Sequence, residues 1–164
     1  NAYTPLNFAD RSVFFHVNAD PDGRPWNTRA VIAPDGAGHD GFHETEAATM
    51  DEVTLIPGTR HAKGGALNIP LAQGSASIRF EPFLTFLMRG IGYGAPAWRH
   101  GGYKGDLVVE REDIDLGGVD MAAPENVHIQ ALSRVTMTLP GEAPVSGMGV
   151  FEQLIAGPYR PYGV

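Results

Sequence analysis

The chain has 164 residues with a hydrophobic fraction of 43%, enough for one domain with a sizeable core, and nothing in it demands a second. Its net charge of -7, from 12 basic and 19 acidic residues, argues against nucleic acid or an anionic membrane as a partner. With no cysteine, disulfides, thiolate metal sites and cysteine nucleophiles are excluded.

Glycine and proline are scattered along the whole chain and punctuate short apolar, β-branched runs, which is the pattern of an all-β fold. The first run, Ser12 to Asn18, sets Val13, Phe15 and Val17 on one face and Phe14, His16 and Asn18 on the other. Asp20-Pro-Asp-Gly23 then supplies a turn, a second strand is predicted at Trp26 to Ala33, and Pro34-Asp-Gly36 turns the chain again. From Gly38 to Met50 the pattern fades into a loop or irregular strand carrying His39, His43, Glu44 and Glu46. Asp51 to Ile56, Ala66 to Leu71 and Ser75 to Phe83 read as strands, with Arg60 to Gly65 as a polar connection, and Leu84 to Met88 is an apolar run too short to assign by period.

The densest concentration of glycine and reactive side chains follows, from Gly90 to Asp106, where Tyr93, Trp98, Arg99, His100, Tyr103, Lys104 and Asp106 stand among six glycines. Glycine at that density suits backbone that bends or lets another group approach closely. Gly105 to Ile114 alternates as a strand, Gly117-Gly118 opens a loop that ends at Pro124, and Val127 to Leu139 is the longest periodic run. A last strand is predicted at Gly147 to Ala156, followed by a proline-stiffened tail from Gly157 to Gly163. The expectation is roughly 8–10 antiparallel strands closed into a barrel or doubled into a barrel-like sandwich, because an open sheet of that size leaves exposed edges.

No apolar run reaches the ~18 residues of a membrane helix, so the sequence predicts a soluble chain, with the cytoplasm the favoured compartment. Asn1 rather than methionine opens it, which leaves processing, trimming or a longer parent polypeptide open.

The phrases Asn18-Ala-Asp-Pro-Asp-Gly23, Gly90-Ile-Gly-Tyr-Gly94, Trp98-Arg-His-Gly101, His128-Ile-Gln130 and Glu152-Gln-Leu-Ile-Ala-Gly-Pro158 resemble a lipocalin-like family of unassigned function. That family is distantly similar to the AttH and carotenoid 1,2-hydratase group, which pairs two lipocalin-like halves. The resemblance implies a lipocalin-like β-barrel, with Trp98, His100 and Tyr103 near a ligand cavity. It also implies that this chain corresponds chiefly to one half, its cavity completed by a second copy in a homodimer if the half alone is not enough.

Read on their own, the residues leave alternatives open. His100 is a candidate general acid or base, or a loop histidine bonded to a nearby carbonyl. Trp98 walls a cavity or packs in the core, Arg99 stands beside the histidine, Tyr93 and Tyr103 can donate to an oxygenated ligand, and Lys104 with Asp106 can form an exposed ion pair. The period of two aims His128, Gln130 and Arg134 to one side of the long strand, with Glu152 as the expected acidic partner. If that side faces inward it gives a polar stripe in an apolar lumen, and if outward a solvated surface. His16 shares the ambiguity. A cupin-like metal site built on His39, His43 and Glu44 is disfavoured, because a spacing of four in a non-helical region does not gather ligands, and no cofactor fingerprint is present.

These features predict binding of an apolar small molecule, such as an isoprenoid, steroid-like or aromatic compound, in a β-barrel cavity. One alternative is a cofactor-independent hydratase or dehydratase, isomerase or cyclase, with His100 or His128 moving the proton and Glu152 setting its charge. The other is a half-barrel interaction module.

Overall fold

The structure, a computed structural model, describes residues 2–87, 101–120, 123 and 126–164. Among these residues nine antiparallel strands form one sheet: β1 (Ala2–Asn7), β2 (Arg11–Ala19), β3 (Pro25–Pro34), β4 (His43–Thr45), β5 (Thr49–Leu55), β6 (Ala62–Leu71), β7 (Gly74–Leu87), β8 (His128–Thr138) and β9 (Val145–Leu154). Their order is β4-β3-β2-β1-β9-β8-β7-β6-β5, two meanders joined by a seam between β1 and β9. The sheet curls into a half-barrel, the all-β architecture expected from the alternating runs. Curling brings β4, at one end of the strand order, against β6, next to the other end. There the ring of His43 on β4 donates from Nε2 to the Pro70 carbonyl on β6 at 2.8 Å.

The inner face follows the period of two. Val13 and Phe15 of β2, Leu67 and Ile69 of β6, Ala76, Ile78 and Phe80 of β7, and Ile129, Ala131, Val135 and Met137 of β8 are all buried. Phe80 stacks on Phe151 of β9 with ring centroids 4.6 Å apart, and Gly65 leaves the room that Phe151 occupies. At the seam, a Cβ on Gly149 would strike the Pro5 carbonyl and the Leu6 side chain, and one on Gly147 would strike the Asn7 carbonyl. Only residues without a side chain let β1 cross β9 this closely.

Several boundaries differ from those read in the sequence. Strand β1 is not among the strands read from the sequence; it carries Pro5 in its middle yet lies between β2 and β9. Strand β6 begins at Ala62, inside the stretch read as a polar connection. The run after Phe83 continues β7 to Leu87 across a register shift between Pro82 and Leu84, and this makes β7, at 14 residues, longer than the 11-residue β8. No strand forms in 105–114, where Leu107 and Val109 are 86% and 85% exposed, so the alternation there has no face to bury. Among the described residues no helix is long and apolar enough to cross a membrane.

Candidate functional site

A cavity of about 590 Å³ opens at the end of the half-barrel where the β2–β3 turn, the start of β5 and the end of β9 converge. Its apolar lining comes from inward-facing residues: Ala2, Val17, Met50 and Ile155. The tail beyond β9 adds Tyr159 and Tyr162, whose rings meet edge to face at 4.8 Å. Arg60 ties the start of this tail down, and at its far end Arg160 donates its amide to the Pro21 carbonyl and pairs with Asp22. Gly23, in the left-handed region at φ 83°, abuts Pro161, so the turn can accept the tail only without a side chain there.

Polar groups in the lining are few. Gln153 of β9 is 3% exposed, and its Oε1 has no hydrogen-bond partner among the described residues. Asp20 accepts from the amides of Asp22 and Arg24, each at 2.9 Å, and Asp51 accepts from Asn68 Nδ2 at 2.6 Å and Thr49 Oγ1 at 3.0 Å. A bulge follows Asp51, with Glu52 in the left-handed region at φ 51°. Burial pushes the Tyr159 phenol up, and the charge of Asp20 adds to it. Burial, then Tyr159 and Asp51, do the same to Tyr162.

A second polar group sits on the opposite face of the sheet. His128, Gln130 and Arg134 of β8 point outward, while Ile129, Ala131, Ser133 and Val135 point to the core. Glu152 of β9, expected as the partner of Arg134, meets the other two instead: Gln130 Nε2 donates to Glu152 Oε2 at 2.8 Å, and His128 Nε2 lies 3.4 Å from Glu152 Oε1. Arg134 instead sits over the Phe83 ring, 4.8 Å from its centroid. Strand register extends the group into a row across six strands, Arg29, His16, Tyr3, Glu152, Gln130 and Phe86. Burial pushes the Glu152 carboxyl up. The nearby His128 ring, the hydrogen bond from Gln130 and the charges of His128 and His16 outweigh it and hold the pKa below the ordinary carboxylate value.

Tyr93, Trp98, Arg99 and His100 lie outside the described residues. Tyr103 is exposed and donates to Asp106 Oδ1 at 2.9 Å, while Lys104 pairs with Glu110 at 3.2 Å, so the Lys104–Asp106 pair read from the sequence does not form. His39 lies 3.5 Å from Glu44. Among the described residues no three His, Asp or Glu side chains gather as metal ligands.

Sequence reasoning passed over the cavity's own polar groups. The period of two does set Gln153 on the face opposite Glu152, but nothing in the sequence marks that face as a cavity wall. Tyr159 and Tyr162 are in a tail with no period to read.

Comparison with known proteins gives one match. The family described as "Family of unknown function (DUF8625)" matches residues 2–164. No curated protein and no solved structure matches the chain.

Proposed function

Because the chain belongs to the DUF8625 family, a family of unknown function, its own residues must supply the reading, and we propose that it binds an apolar small molecule in the cavity beneath its tail. The observation that carries this is a cavity of about 590 Å³ walled by Ala2, Val17, Met50 and Ile155, with only a few polar groups converging on it. Ligand sites in proteins have that size and that mixture of apolar wall and sparse polar contacts.

A second reading, acid–base catalysis without a cofactor in a hydratase, isomerase or cyclase, is supported by the His128–Glu152 pair at 3.4 Å. That pair faces away from the core, on the side of the sheet opposite the cavity walls. A reacting ligand has to meet the proton-moving group and the apolar wall together, so the geometry favours binding over catalysis.

The test is titration with the neutral apolar dye Nile red, for the wild-type protein and for Val17→Trp, which fills the cavity. Saturable uptake by the wild type and its loss in the variant are expected, with far-UV circular dichroism showing the variant folded. No uptake by the wild type, or equal uptake by a folded Val17→Trp, overturns the reading.

A further inference from the structure

We infer that the cavity's ligand is a lipophilic amine, held as its ammonium with the apolar body against Val17, Met50 and Ile155 and the head among Gln153, Asp51 and the two tail tyrosines. This rests on the cavity-binding reading above and sharpens it to one head-group charge.

The charge of the lining has a single sign. Asp20 and Asp51 contribute carboxylates, and among the described residues no lysine, arginine or histidine lines the cavity. Neither aspartate is in an ion pair among the described residues. Each is fixed by neutral donors, backbone amides for Asp20 and the Asn68 amide with the Thr49 hydroxyl for Asp51, which hold the carboxylate without cancelling its charge. A ligand carboxylate would meet two like charges and no counter-ion, a costly arrangement in a partly dry site.

The remaining polar atoms favour a donor. Gln153 Oε1 is buried and unpartnered among the described residues, so it leaves an acceptor to be filled. Tyr159 and Tyr162 line the cavity with aromatic side chains, a kind of surface to which a cation is attracted. Their phenols are pushed up chiefly by burial and stay protonated, so they add no competing negative charge. An alcohol can satisfy the glutamine but gains nothing from the carboxylates. An ammonium group has three N–H donors and gains from the amide oxygen, the carboxylates and the rings. The chain's net charge of -7 adds a field of the same sign.

Three probes with one rigid apolar body separate the head groups: 1-adamantanamine, 1-adamantanol and adamantane-1-carboxylate, each titrated calorimetrically at neutral pH and low salt. The amine is expected to bind about tenfold or more tighter than the alcohol, and the carboxylate not at all. Asp51→Asn, which keeps an acceptor for Asn68, is expected to cost the amine most of its lead over the alcohol. An alcohol or carboxylate that binds as tightly as the amine overturns the inference. So does cavity-dependent Nile red uptake with no binding of any adamantane, and that result leaves the cavity reading standing. Loss of both dye and adamantane binding overturns both.

Discussion

Arg60 holds Ile155: a single guanidinium nitrogen, Nη1, donates to the Ile155 carbonyl at 2.9 Å and also to the Gly157 carbonyl at 2.5 Å. The contact sits where the chain leaves β9, so it sets the direction in which the tail crosses the cavity. Both carbonyls belong to backbone that has left the ladder and needs a partner from elsewhere.

Arg60→Met should therefore release the start of the tail. Hydrogen bonds from a charged donor are worth roughly 1.5–3 kcal/mol, so a loss of about 2 kcal/mol is expected in urea denaturation, with faster amide exchange at Tyr159 and Arg160. Arg160→Ala, which removes an exposed ion pair with Asp22, should change stability little. Wild-type exchange in the Arg60 variant would mean that the tail is held from its far end.

Gly149→Ala tests the seam. The new Cβ would lie 2.5 Å from Leu6 Cδ2 and 2.8 Å from Leu6 Cα, so β1 must move away from β9. Overpacking of this kind costs about 1–3 kcal/mol. Gly38→Ala, where nothing stands within 4 Å, is the control and should be close to neutral. Equal denaturation midpoints for the two variants would show that the seam has slack.

Glu152 predicts a pH dependence. Its folded pKa is depressed, so its contribution to stability is present above the unfolded value of about 4.3 and is lost as pH falls through the lower folded value. Replacing it in Glu152→Gln should lower stability at neutral pH and make the loss below about pH 4.3 shallower than in the wild type. Denaturant titrations across that range read both effects. An unchanged acid limb would show that the carboxyl is not held by His128 and Gln130 in solution.

Gln153→Leu should separate stability from binding. Replacing a buried amide whose oxygen has no partner among the described residues with an apolar side chain of similar size should raise the stability of the ligand-free protein by about 1 kcal/mol, a few degrees in Tm. The same change should weaken 1-adamantanamine binding. A lower Tm would mean that the amide oxygen finds a partner in solution.

Most of the strand pattern was legible because burial imposes alternation on it. Val13, Phe15 and Val17 announce β2, and the odd-numbered residues from Val127 to Leu139 announce the inner face of β8. The direction of that face was not legible, since Leu132 and Phe14 put apolar residues on the outer side as well. Strand β1 was not legible; the missing N–H of its Pro5 matters less when neighbours on both sides still hold the strand through Ala2, Tyr3 and Leu6. The alternation in 105–114 misled for the opposite reason: periodicity records an opportunity to pair, and no neighbour takes it up. The His128–Gln130–Glu152 group could be read because each member keeps step with its strand. The cavity could not, because Asp51, Gln153 and Tyr162 come together through a bulge, a seam and a tail that leave no common spacing.

The strand order also bears on how the chain reaches this state. Strands β1 to β4 and β5 to β9 are each runs of sequential neighbours, and all of these pairs except β7 with β8, which the stretch from Leu87 to His128 separates, are hairpins that can form from nearby residues. Their union depends on residues near position 2 finding residues near position 153, the most separated pairing in the sheet. Closing so long a loop costs entropy before any contact repays it, so the β1–β9 union is the slow, late step of folding. Gly147 and Gly149 sit in that union. Crowding them would slow refolding more than early hairpin formation, and until the union closes, β1 and β9 remain as two open edges exposed to aggregation.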